Sequence, residues 1–114
     1  MTMTTTAGPA WATRTNTPAA LRELANYLER ALDAGQSVVV MRYGARERAV
    51  YIGDPDNLPH ELAGSDAVAA HLADDMLALT APGINRMTAD GQIYRFRRTH
   101  RYIADRQAVI FAPA

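Results

Sequence analysis

Between Ser37 and Tyr43 the chain reads Ser-Val-Val-Val-Met-Arg-Tyr, a β-branched run with no polar alternation. Valine loses side-chain freedom in a helix and packs well on a pleated surface, so the run predicts a strand. Successive strand residues point to opposite faces, and a strand that is apolar at nearly every position needs cover on both. It therefore belongs in the middle of a sheet. A chain of 114 residues has room for one such sheet, because a domain of this length buries roughly 60 to 70% of its unfolded surface around a single core.

The neighbouring segments supply the rest of that sheet and its cover. Gly44-Ala45 reads as a tight turn into a second strand, Arg46 to Ile52, and Gly53-Asp54-Pro55-Asp56-Asn57-Leu58-Pro59 is dense in turn formers that must break it. Upstream, Thr17 is placed to cap a helix with Pro18 at its first position. That helix runs to about Ala34, with Leu21, Leu24, Leu28, Ala31 and Leu32 on one face and Gly35 at its close. A second helix is expected from Ser65-Asp66, with Val68, Leu72, Met76 and Leu79 as its apolar stripe and Pro82-Gly83 as its stop. Ile84 to Thr88 and Gln92 to Ile103 flank Asp90-Gly91, the signature of a type I′ hairpin, and Ala104-Asp105-Arg106 leads to a last strand, Gln107 to Phe111. The expected fold class is α+β: two helices packed on one face of a mostly antiparallel sheet of about five strands, in the order αββαβββ. Residues 1–16 are rich in Thr, Ala and Gly without an apolar period and are expected to form a disordered tail, residues 17–114 a single domain. Trp11 is the one aromatic residue of that tail, and docking on the body is its expected role.

The residue inventory excludes several kinds of chemistry. With no cysteine there is no disulfide framework, thiolate metal site or cysteine nucleophile, and a reducing cytoplasm is the expected compartment. All twelve Lys+Arg residues are arginine, so neither a Schiff-base lysine nor a P-loop lysine exists. This arginine bias, with abundant alanine, is the mark of GC-rich coding and points to a bacterial or phage source. Met1 to Pro9 has no signal-peptide pattern, and no stretch approaches the roughly 20 apolar residues of a membrane span. Ser37 and Ser65 are the only serines, and neither lies in a nucleophile elbow. No catalytic residue, cofactor or metal site is expected.

Charge is the most informative pattern. Residues 1–53 hold six arginines and four acids, a net of +2; residues 54–75 hold six acids and no arginine, a net of −6; residues 84–106 hold six arginines and two acids, a net of +4. Strand alternation sorts the last group. Tyr94, Phe96, His100 and Tyr102 share what is expected to be the core side, whereas Arg95, Arg97, Thr99 and Arg101 share the other, with Arg86 set across from Arg95 by the two-residue turn. Like charges facing one another across a ladder are destabilising, so the row is expected to meet an anion. The acidic 54–75 segment could fold over it, or a second copy could present its acidic pole.

The leading expectation is a small non-enzymatic interaction domain that binds an acidic protein surface, including a second copy of itself, through Arg86, Arg95, Arg97 and Arg101. A nucleic-acid-binding module using the same row, extended by Arg98, Arg106 and Arg14, is the alternative, against which the neutral overall charge argues. Tyr94 and Phe96 resemble the stacking aromatics of RNA-binding sheets only superficially, since they alternate away from the arginines. A third reading is an enzyme using His71, Asp75 and His100 in acid–base work. His71 and Asp75, four apart with Asp74 and His60-Glu61 nearby, have the spacing of a metal or carboxylate–imidazole pair, but such pairs are ordinarily surface partners. Asp75 beside the apolar stripe would need an arginine of the sheet as its partner.

Overall fold

The computed structural model describes residues 17–43, 46–57, 66–103 and 105–114. The expectations for the tail and Trp11, for the Gly44-Ala45 turn and for His60-Glu61 lie outside these residues. The elements are α1 (Ala19–Ala34), β1 (Ser37–Tyr43), β2 (Glu47–Gly53), a 3-10 turn (Pro55–Asn57), β3 (Asp66–Ala69), α2 (Ala70–Ala78), β4 (Gly83–Ala89), β5 (Gln92–Ile103) and β6 (Arg106–Pro113). The strands form one antiparallel sheet in the order β3-β2-β1-β6-β5-β4, with both helices on the same face. The fold is thus the expected α+β architecture with six strands instead of about five.

The sixth strand is β3, which occupies the start of the stretch expected to be helical. Asp66-Ala67-Val68-Ala69 pairs with β2, Val68 opposite Arg48, and α2 begins only at Ala70. One ion pair from α1 holds this strand. The Arg30 guanidinium reaches the Asp66 carboxylate at 2.7 Å and lies over the Tyr27 ring at 5.4 Å. Pairing with β2 supplies Asp66–Ala69 with a ladder that one further helical turn cannot offer, so strand pairing overrides the apolar spacing of Val68, Leu72 and Met76. The chain then crosses the sheet from the β3 edge to the β4 edge, and α2 lies along that path.

The run that constrained the sequence reading is central as expected, between β2 and β6, and Val38, Val39, Val40 and Met41 are all buried. Val38 and Val40 pack with Val50, Phe96 and Phe111 beneath Leu24 and Leu28 of α1 and Met76 of α2. Val39 and Met41 belong to a second cluster on the opposite, helix-free face, with Ala49, Tyr51, Ala108 and Ile110. Asp56 of the 3-10 turn meets Arg101 on that face at 2.9 Å, so the chain leaving β2 turns back over it.

Local signals fix the ends of α1 unevenly. Gly35 adopts φ 66°, its N–H bonds the Leu32 carbonyl and the next N–H bonds that of Ala31, which is a Schellman close. At the other end Pro18, and not Thr17, holds the capping position, and the Thr17 hydroxyl accepts from the Asp90 N–H at 3.2 Å, tying the start of α1 to the β4–β5 turn. Arg22 adds an ion pair to the Asp90 carboxylate at 3.3 Å. Leu32 and Leu79, expected on buried stripes, are exposed, Leu79 standing just past the end of α2. No helix among the described residues is long and apolar enough to cross a membrane.

Candidate functional site

The arginine row is built by the β4–β5 hairpin. Asp90 and Gly91 both have positive φ, 50° and 84°, so the turn is type I′ and fixes a two-residue register with Arg86 directly opposite Arg95. The backbone carbonyl of Arg95 accepts from the Ala114 N–H on the β6 side at 3.0 Å. Arg86 and Arg95 therefore form a non-hydrogen-bonded pair, the arrangement in which opposed side chains come closest. Ile84 faces Arg97 and Thr88 faces Ile93. Arg86, Arg95 and Arg97 are exposed on the helix-free face, and among the described residues no carboxylate pairs with any of them.

Arg101 lies on the same strand face but is engaged by Asp56. Among the described residues of the 54–75 segment, Asp56 thus reaches the row, at its inner end. The pair is largely exposed, which limits it to about 0–1 kcal/mol. Asp66 is taken by Arg30, whereas Asp74 and Asp75 stand exposed on α2, on the opposite side of the sheet from the row. Two residues flank the row that the charge count passed over: Ile84 is 54% and Ile93 53% exposed on the arginine face. Their spacing of two from Arg86 and Arg95 was legible in the sequence.

Arg98 departs from its neighbours. It points to the helix face, is only 8% exposed, and its Nη1 donates to the carbonyls of Leu77 and Thr80 and to the Thr80 hydroxyl, each at 2.9 Å. It closes the C-terminus of α2 and does not extend the row. The expected partnership of Asp75 with a sheet arginine is replaced by this one, since Asp75 faces solvent and the carbonyls at the helix end need a donor more.

Tyr94 and Phe96 are buried under the helices, whereas His100 and Tyr102, expected on the core side, share their face but lie exposed beyond the helical cover; Tyr102 is 70% exposed. The Tyr94 hydroxyl donates to the Glu29 carboxylate of α1. That bond, helped by burial, pushes the Tyr94 pKa up to about 12. Burial also raises Tyr27. A tyrosine that holds its proton more tightly when folded stabilises the fold fully below its unfolded pKa of about 10 and loses that contribution as pH rises from there to about 12. Urea titrations across this window are expected to show falling stability, with a shallower fall in Tyr94→Phe.

His71, Asp75 and His100 are all exposed, and no hydrogen bond or ion pair joins them. Among the described residues no group of three or more His, Asp or Glu side chains could hold a metal ion. A cavity of about 140 Å³ lies between α2 and the sheet, lined by Val40, Ala73, Met76, Val109 and Phe111 with Arg48, Asp74 and Gln107 among its polar residues. Its volume suits a benzene-sized group, and neither histidine lines it. Comparison with family models, curated proteins and solved structures finds no match to this chain.

Proposed function

We propose that the chain is a non-enzymatic interaction domain that binds an acidic protein surface through Arg86, Arg95 and Arg97, with Arg101 at the margin. The observation that carries this reading is the directly opposed Arg86–Arg95 pair, exposed and without a carboxylate partner among the described residues. Two guanidinium groups on directly opposed residues repel in the free protein, and a carboxylate between them removes the repulsion and accepts charge-assisted, bidentate hydrogen bonds. Ile84 and Ile93 give the surface an apolar component, and arginine beside exposed aliphatic area is a composition suited to a protein interface.

A second copy is a poorer occupant than a different protein. The exposed acids of α2 and the arginine row lie on opposite faces, so pairing them between copies gives a head-to-tail contact that grows into chains instead of closing as a dimer. Light scattering of the purified protein at low and high salt is expected to show one species with no salt-dependent growth.

The surface itself is tested with polyglutamate at low salt, against the Arg95→Glu, Arg97→Glu double variant. Both side chains are exposed, so the variant keeps the fold. Binding should weaken as salt rises and fall at least tenfold in the variant. Equal binding by variant and wild type would sink the proposal. Tight, steeply salt-dependent binding of duplex DNA without binding of polyglutamate would assign the row to nucleic acid instead.

A further inference from the structure

The arginine row ends at a sheet edge, and the backbone of that edge is oriented to serve the same partner. β4 is the outermost strand on its side of the sheet. A two-residue type I′ turn closes on a hydrogen-bonded pair, here Ala89 with Gln92, and antiparallel pairs alternate from there. Met87, Asn85 and Gly83 therefore spend their backbone groups on β5. Ile84, Arg86 and Thr88 form the non-hydrogen-bonded pairs, as the Arg95 carbonyl bonded to Ala114 independently requires, so their N–H and C=O groups point outward from the edge. These are the residues whose side chains stand on the arginine face.

We infer that β4 is a docking edge for an extended acidic peptide, which adds as a seventh antiparallel strand beside Ile84, Arg86 and Thr88. This rests on the arginine row binding acidic protein and names the form the partner takes. In such an addition the peptide residue opposite Arg86 exchanges both backbone hydrogen bonds with it, and its side chain falls on the same face. An acid there meets Arg86 directly. Acids two residues to either side share that face and come within reach of the long Arg95 and Arg97 side chains. The recognised pattern is therefore acids at alternate positions over about five residues, with uncharged residues between them facing the Asn85 and Met87 side. Among the described residues of the acidic 54–75 segment, Asp56 and Asp66 are already paired, and Asp74 and Asp75 are helical.

Recognition by an edge differs from recognition by charge in needing backbone donors in register. The test is fluorescence anisotropy of a labelled seven-residue peptide of alternating glutamate and valine on the full chain. Two controls carry the same charge: the same peptide N-methylated at the glutamates, and one with its glutamates in a block. The alternating peptide is expected to bind at least tenfold more tightly than either. On the protein side, Thr88→Pro removes one outward N–H and no β4–β5 bond, so it leaves the hairpin and every arginine in place. It is expected to weaken the alternating peptide at least fivefold and to leave polyglutamate binding unchanged. If all three peptides bind equally and Thr88→Pro has no effect, edge addition is wrong while the acidic-surface reading stands. If no peptide and no polyglutamate binds at low salt, both are wrong.

Discussion

Replacing Arg98 with alanine is expected to cost about 2–4 kcal/mol of stability, while the same change at the adjacent Arg97 stays within about 0.5 kcal/mol. The difference follows from the pleat. Arg97 stands in water on the arginine face, and its removal leaves nothing unpaired. Arg98 is buried on the helix face, where it answers Leu77 and Thr80 at the end of α2. The last carbonyls of a helix have no partner within it, and a cation there both donates to them and complements the negative end of the helix dipole. Thr80, whose hydroxyl in turn donates to the Met76 carbonyl at 2.7 Å, would lose its own anchor. The Nε of Arg98 is buried without a partner among the described residues, which offsets part of the gain and holds the expected loss below that of a fully satisfied site. Chemical denaturation of the two single variants checks this, and equal losses would mean that Arg98 does not hold α2. Arg98→Lys should recover only part, because a single ammonium cannot reproduce the geometry of the guanidinium fork.

Phe96→Ala is expected to lose about 3–5 kcal/mol, a large fraction of the total stability of a domain this size. Phe96 is completely buried and packs edge-to-face on Phe111, with ring centroids 5.6 Å apart at 64°. It belongs to the cluster shared with Leu24, Leu28, Val40 and Met76, so the void would open where both helices rest on the sheet. The melting midpoint should drop by more than about 10 °C. Substituting leucine retains much of the volume and should lose less than half as much, which separates a packing cost from a failure to fold.

Periodicity served the reading of this chain where one interaction range dominated. The alternation of buried Tyr94 and Phe96 with exposed Arg95 and Arg97, the Asp-Gly turn and Gly35 are each determined within a few residues, and each appears in the structure as expected; the burial expected of His100 and Tyr102 does not. Val68 shows where that fails: at helical spacing from Leu72 and Met76, it sits in a strand because β2 offers a pairing edge and Arg30 holds Asp66. Thr17 has the chemistry of a cap, yet its hydroxyl serves the Asp90 N–H, a donor remote in sequence.

The candidate surface divides along the same line. Arg86, Arg95 and Arg97 share a face because side chains alternate and a two-residue turn fixes register, both of which can be read without a structure. Ile84 and Ile93 follow by the same rule. That Asp56 would engage Arg101, that a helix end would rest on Arg98, and that β4 would lie at the outside of the sheet depend on strand order and on the path of α2 across it. The sequence by itself determined which side chains share a face and how the hairpins register, because those follow from the backbone's own period. Only the tertiary structure decided which charges meet and which strand lies at the sheet edge, because those depend on segments brought together across long stretches of chain.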